Sequence, residues 1–167
     1  IALSFEKATP SDLVRQAGVA VYQARREVKE LLFFETVMGE EAPERLRLES
    51  DMRRGIEQNE FMVYYQPKVD LQTGKIVSME ALVRWQHPQR GFVSPAKFIP
   101  FAEETGLIEP LGKIVLETAC REAVGWQPKT GEPIVMAVNL SAIQFRNPNL
   151  VQDVEDVLIR TGLPAHA

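Results

Sequence analysis

The 167-residue chain is poor in the residues that make covalent or metal staples. A single cysteine, Cys120, excludes an internal disulfide framework and any zinc cluster built on several cysteines. Set in a helical stretch, it reads as a small buried hydrophobe. No apolar run approaches the roughly 20 residues that a membrane-crossing helix needs. The opening Ile1-Ala2-Leu3-Ser4 has neither the basic region nor the apolar core of a signal peptide. Positive charge is not in excess. With 19 Lys+Arg against 23 Asp+Glu and a formal net charge of −4, a nucleic-acid grip resting on net basicity is excluded, and no DNA or RNA partner is expected. The chain is also too short for a full eight-stranded β/α barrel of roughly 250 residues. It has no internal repeat and no low-complexity segment. What remains is ordinary: 45% hydrophobic and 25% charged residues, the composition of a soluble globular domain. There is no initiator Met, and the sequence stops where another strand is due. We therefore expect a piece of a longer cytoplasmic protein, with a tether of the parent chain to the inner membrane left open.

Local patterning divides the chain. Residues 1–5 read as a strand-like stub. Thr9-Pro10-Ser11-Asp12 opens a helix, with Thr9 as cap and Pro10 at the first helical position. Leu13, Ala17, Ala20 and Ala24 recur on one helical face, and Arg25-Arg26 lie near its end. Leu31 to Phe34 is an apolar run that suits either a strand or a buried helix. Thr36 to Pro43, with Gly39 and Pro43, reads as a boundary. Leu48, Met52 and Ile56 then sit four apart on a charged helix ending near Asn59, a connector between two domains. Its charge run, Glu44 to Arg54, reads as a solvated face, with a signalling rod or dimer contact as the other reading.

From Phe61 the period changes. Phe61 to Gln66 is a strand, Asp70 to Gly74 a turn, and Ile76 to Trp85 a second strand. So short a connection requires antiparallel pairing. A helix starts at Ser94-Pro95 and is interrupted by Gly106. A longer one covers 107–126, with Leu116, Ala119, Ala123 and Trp126 on one side. Pro128 to Pro133 is a loop. Ile134 to Leu140 is a nearly all-apolar third strand, as a buried strand is. A last helix from Asn147-Pro148 carries Val151, Val154 and Leu158 and stops at Gly162 and Pro164. This order predicts an α/β barrel or doubly wound domain. Trp85 and Trp126 read as core anchors, Phe98, Ile99 and Phe101 as packing, His87 as a loop hydrogen-bonder. His166 sits in a frayed end without a role.

Alternation places polar groups on one strand face. Ser78, Glu80, Leu82 and Arg84 share a face of the second strand; Ala137, Asn139 and Ser141 share a face of the third; Gln66 shares a face with Met62 and Tyr64. Glu80 and Arg84 lie about 13 Å apart at roughly 3.3 Å per residue, too far to neutralise each other. A carboxylate in an apolar strand must be paired, metal-bound or solvated. Two readings stay open. One is a metal or phosphate site for a long anionic ligand, since carboxylate and amide oxygens suit Mg²⁺. The other is an edge strand with Glu80 and Arg84 facing water.

Several motifs occur in order: Tyr65-Gln66-Pro67, Met79-Glu80-Ala81-Leu82-Val83-Arg84-Trp85, His87-Pro88, Ser94-Pro95, Phe98-Ile99-Pro100, Ala102-Glu103, Thr105-Gly106-Leu107-Ile108 and Val138-Asn139-Leu140-Ser141. Together, from about residue 44 to the end, they resemble the EAL family of bacterial cyclic di-GMP phosphodiesterases. The resemblance implies a modified TIM barrel with an antiparallel first strand, here in part. It also implies hydrolysis of cyclic di-GMP to pGpG with Mg²⁺ or Mn²⁺. By matched motif, Glu80 and Asn139 resemble the catalytic metal ligands, and Gln66 and Arg84 resemble residues contacting the dinucleotide. Residues 1–35, through Leu13 to Arg25, resemble the tail of a GGDEF diguanylate cyclase domain. They depart from it at Gly18, Arg25 and Val28, where Asp, Lys and Gly are common, which suggests a degenerate cyclase. The expected layout is thus a GGDEF-like tail over 1–35, a linker and connector helix over 36–59, and the first part of an EAL domain over 60–167.

The family's remaining ligands, a glutamate in an ExTE-like motif and a paired aspartate in a DDFG-like motif, are not in these residues, nor is its catalytic lysine. No Asp-Asp pair occurs. Three strands cannot close a barrel, and the third would leave an exposed apolar edge. By itself the chain is expected to be catalytically incomplete, to be completed by more of its own sequence or by another chain. A homodimer and upstream GGDEF or sensor domains are the other partners in view. A receptor that binds cyclic di-GMP without cutting it is the alternative function.

Overall fold

The computed structural model describes residues 9–26, 29–33, 36–128 and 133–167. The stub at 1–5 and most of the loop between Pro128 and Pro133 lie outside them. The chain divides into two compact units, Ile1–Asp51 and Met52–Ala167.

In the first unit, α1 spans Pro10–Arg26. Its start is a reciprocal cap. The Asp12 N–H donates to Thr9 Oγ1 at 3.2 Å and the Thr9 N–H donates to Asp12 Oδ2 at 3.1 Å, so two otherwise orphaned donors are satisfied. Ala20 is fully buried on this helix. Leu31 to Phe33 form neither a strand nor a helix, and Leu31 and Phe33 are about half exposed. Among the described residues no strand pairs with them, and Phe34, the last residue of that run, lies outside the described residues. The next helix, α2, spans Thr36–Glu57. The expected boundary at Thr36 to Pro43 is therefore helical. Gly39 and Pro43 weaken helix propensity locally, but that is a weak prior beside the Glu, Ala, Leu and Arg residues around them. The division between the units falls within α2, at Asp51/Met52.

The second unit is a four-stranded mixed sheet with helices on one face. Strand β1 (Phe61–Val69) pairs antiparallel with β2 (Ile76–His87). The turn between them is fixed by Asp70, whose Oδ1 accepts the N–H groups of Gln72 and Thr73 and the Thr73 hydroxyl, at 3.0, 2.7 and 2.8 Å. A short strand β3 (Gly91–Val93), absent from the sequence reading, turns back on the end of β2. Strand β4 (Val135–Val138) pairs parallel with β2 and is shorter than Ile134 to Leu140.

Between β3 and β4 run α3 (Pro95–Thr105) and α4 (Ile108–Trp126). Gly106 separates them at φ 76°, a left-handed conformation in which any other residue is strained. A 3₁₀ turn at Gln144–Arg146 and helix α5 (Leu150–Thr161) follow β4. The core lies between sheet and helices. Trp85 is fully buried, stacked on Phe61 at 5.1 Å and edge-on to Phe98 at 5.7 Å. Phe98 and Phe101 are buried, and Cys120 is the small buried hydrophobe expected. Trp126 is only partly buried, edge-on to Tyr65 at 4.6 Å. On α5 Val157 is fully buried and Leu158 packs partly buried beside it, Val154 is partly buried, and Val151 is exposed. The end of the chain is not frayed: the Ala167 carbonyl accepts the Met136 N–H of β4 at 2.7 Å.

This is a mixed α/β fold with a partial sheet whose first strand is antiparallel to its neighbour.

Candidate functional site

The register puts the polar residues of three strands on one surface. Gln66 stands opposite Glu80, Tyr64 opposite Leu82 and Met62 opposite Arg84, while Ala137 of β4 is level with Glu80. Side chains alternate along each strand, so Gln66, Glu80, Arg84 and Asn139 share the face that the helices leave open.

At its centre, Asn139 Nδ2 donates to Glu80 Oε1 at 2.9 Å. The other carboxylate oxygen, Oε2, is 3.3 Å from Lys68 Nζ. Asn139 can reach Glu80 because β4 ends at Val138 and releases the next residue at the strand tip. The amide of Asn139 and, next, the hydrogen bond and charge of Lys68 hold the Glu80 carboxyl below the usual carboxylate range. Glu80 is therefore an anion at neutral pH, and its strand-mate Arg84 is not its counter-ion. Lys68 is, and sequence reasoning passed over it. Period-two spacing carried the signal, because Lys68 is two residues from Gln66 on the same face.

Arg84 is held separately. Its guanidinium donates to its own neighbour's carbonyl, Val83 O, at 2.9 Å and lies 5.7 Å from the centre of the Tyr64 ring. Gln66 is exposed on the same surface. A cavity of about 320 Å³ opens beside these groups and is bounded by Arg84, Glu103, Asn139, Ser141 and Gln144, among others. A larger one of about 550 Å³ lies between α4 and α5 and contains none of the four expected residues.

The segment after Asn139 is anchored by Gln144, a buried polar residue that sequence reasoning also missed. Its Oε1 accepts the Ser141 N–H at 3.0 Å, and the Ser141 hydroxyl accepts the Gln144 N–H at 3.4 Å. The Gln144 side chain fills a notch in α4 at Gly112. A Cβ on that residue would collide with Gln144 Nε2.

His87 takes the hydrogen-bonding role expected of it. Its ring is buried, and Nδ1 faces the N–H groups of Gln89 and Arg90, which donate at 3.1 and 3.2 Å. Nearby Glu60 receives the Trp85 indole N–H at 3.0 Å and Arg54 Nε at 3.2 Å, which satisfies the polar edge of the aromatic core.

The donor chemistry at Glu80 and Asn139 fits a hard divalent cation. The two side chains meet through the Asn139 amide nitrogen; the amide also carries an oxygen, a second hard donor beside the carboxylate, and the Lys68 ammonium occupies the other carboxylate oxygen, where a cation would sit. The set is partial: among the described residues no group of three or more His, Cys, Asp or Glu side chains could hold a metal.

An incomplete β/α barrel with acid, amide and guanidinium on its open face is the class of structure that these observations define. The comparisons give the family. The model of the EAL domain matches residues 49–167, and the chain belongs to the EAL domain family. An uncharacterized signaling protein of Caulobacter vibrioides is 45% identical over 156 residues, which is 93% of this chain and 19% of that protein. The bifunctional diguanylate cyclase/cyclic di-GMP phosphodiesterase MucR of Pseudomonas aeruginosa is 40% identical over 160 residues, 95% of this chain and 23% of MucR. A solved structure, the PaMucR phosphodiesterase in complex with c-di-GMP, superposes with a TM-score of 0.66 at 42% identity, covering 70% of this chain and 47% of that one. The chain thus spans about a quarter or less of these two curated relatives. Among the described residues no helix is long and apolar enough to cross a membrane.

Proposed function

We propose that the domain to which this chain contributes hydrolyses cyclic di-GMP to pGpG with Mg²⁺ or Mn²⁺. Glu80 and Asn139 would be metal ligands, and Gln66 and Arg84 would contact the dinucleotide. The observation that carries the reading is the meeting of Glu80 and Asn139 on the open face of the sheet. It is supported by the relative whose solved structure holds c-di-GMP.

The residues divide the work. Glu80 supplies a full negative charge at neutral pH, because Asn139 and Lys68 stabilise its ionised form. Asn139 steers that carboxylate by holding Oε1 and leaves its own amide oxygen as a second hard donor. Arg84 presents a planar cation suited to nonbridging phosphate oxygens. Gln66, level with Glu80 on the neighbouring strand, offers an amide for polar groups of the same ligand. A bound divalent ion supplies charge stabilisation at the phosphoryl group and a more acidic water.

Residues 1–35 belong in this proposal to the tail of a GGDEF-like domain, 36–59 to a linker and connector helix, and 60–167 to the EAL domain. The match to bifunctional MucR extends over 95% of this chain, which supports a cyclase-like segment ahead of the EAL region. The protein would then act in the cytoplasm as part of a larger signalling chain, alone or as a homodimer.

The test is release of pGpG from cyclic di-GMP by the full-length protein with Mg²⁺ or Mn²⁺, with and without EDTA. Turnover that disappears in EDTA and in Glu80→Ala supports the phosphodiesterase. Tight binding without release assigns the receptor role, and neither binding nor release rejects both.

A further inference from the structure

Asn139 reaches Glu80 from a short bridge between two anchors. Val138, the last residue of β4, is held in the sheet level with Ala81 of β2. Ser141 is held by Gln144. Only Asn139 and Leu140 lie between them. The hydrogen bond from Asn139 to Glu80 is exposed to water. Such a bond contributes less than the ordering of two backbone residues costs. The aim of the Asn139 side chain is therefore set by the anchors on either side, and the second anchor is the unusual one.

Ser141-Ala142-Ile143-Gln144 has the reciprocal S-x-x-Q form of a capping box, set on the turn that leads into the 3₁₀ segment Gln144–Arg146. Each partner satisfies the other's backbone: the Ser141 N–H donates to Gln144 Oε1 and the Gln144 N–H donates to Ser141 Oγ. A cap can be made by a glutamine on the surface, where that residue type is mostly found. This one is only 5% exposed. Helix α4 makes the room, since Gly112 has no Cβ and one placed there would overlap Gln144 Nε2. Gln144 borders both the cavity beside Arg84 and Asn139 and the one between α4 and α5. A side chain seated this way fixes the backbone two residues beyond Asn139 against a helix, which is more than closing a turn requires.

We propose that Gln144 is a positioning residue for the divalent ion: seated at Gly112, it holds Ser141 and thereby aims the Asn139 amide at the point where Glu80 and the ion meet. This rests on the reading of Glu80 and Asn139 as metal ligands. Gln144 acts through the backbone of the Asn139 segment, so its effect on the ion passes through Asn139 and ends where Asn139 is removed.

The experiment is titration of the full-length protein with Mn²⁺ alone, followed by electron paramagnetic resonance well below the Tm of each variant. Gln144→Met keeps the length of the side chain and removes the acceptor. It is expected to raise the Mn²⁺ Kd about tenfold, as loss of a group that orients a ligand does. Gly112→Ala pushes the same side chain from the α4 side without touching the loop, and should raise Kd about threefold. Should Gln144→Met not fold, Gly112→Ala carries the test. Both changes are repeated in an Asn139→Ala background, where neither should move Kd by more than about twofold, because the group they aim is gone. Equal losses with and without Asn139 overturn the proposal and assign Gln144 to general packing. A lowered Tm with an unchanged Kd overturns it as well. If the wild type binds no Mn²⁺, or Asn139→Ala alone leaves Kd unchanged, the metal-ligand reading fails and the positioning role with it. If Asn139→Ala weakens binding while Gln144→Met and Gly112→Ala do not, the positioning role alone is lost.

Discussion

Asn139 and Glu80 stand 59 positions apart in the chain and meet at 2.9 Å, the amide of one donating to the carboxylate of the other. Asn139→Ala removes that donor and the amide oxygen proposed as a ligand, while leaving Lys68 on Glu80. Mn²⁺ affinity of the full-length protein should fall by more than about tenfold, because loss even of groups that merely orient ligands costs 10–100-fold. Titration followed by electron paramagnetic resonance checks this. Asn139 is exposed, so Tm should hold.

Lys68 makes the opposite case. Its ammonium is 3.3 Å from Glu80 Oε2 and competes for the charge that a divalent ion would use. Lys68→Met is expected to tighten Mn²⁺ binding a few-fold, most clearly at low salt, where exposed charges are least screened. Unchanged or weaker binding would show that Lys68 does not stand in the ion's way.

Gly112 tests how the Asn139 segment is seated. Gly112→Ala drives a methyl group into Gln144. The methyl meets the tip of a flexible side chain, so the cost is that of the Gln144–Ser141 hydrogen bond the tip would give up, about 1 kcal/mol and a drop of a few degrees in Tm. Gly112→Ala with Gln144→Ala removes the collision, so the double variant should be no less stable than Gln144→Ala alone. Additive losses in a thermal-unfolding cycle would contradict the notch.

Asp70 gives a pH signature. The backbone N–H of Thr73, then its hydroxyl, hold the carboxyl below its ordinary value, with a smaller contribution from the Gln72 N–H. A depressed folded pKa stabilises the turn above the unfolded value of about 3.9, and that stabilisation is lost as pH falls through the folded one. The amide resonances of Gln72 and Thr73 should therefore titrate together below about pH 4. Asp70→Ala should abolish that response.

Much of this was legible from alternation. Period two placed Gln66, Glu80, Arg84 and Asn139 on one face; the register sets Gln66 opposite Glu80, and Asn139, one residue past β4, meets Glu80 through its side chain. The separation of Glu80 from Arg84 was legible too, because strand rise is nearly constant. Less visible were partners chosen by tertiary geometry. Lys68 had the right spacing but no rule that names which cation a carboxylate takes. Gln144 is polar, and burial of a polar group depends on a notch that exists only once α4 is packed. Gly39 and Pro43 misled because punctuation residues speak for a few positions, whereas a 22-residue helix sums the preferences of all. The three-residue β3 is too short for any periodicity to announce.

The ion pair between Lys68 and Glu80 also bears on the protein at rest. With Lys68 on Oε2 and the Asn139 amide on Oε1, the Glu80 carboxylate has both oxygens occupied by groups of its own chain. A cation arriving at Glu80 would therefore trade places with an ammonium rather than fill a bare anion, so its affinity there would be a difference between two partners and would rise as the lysine is loosened.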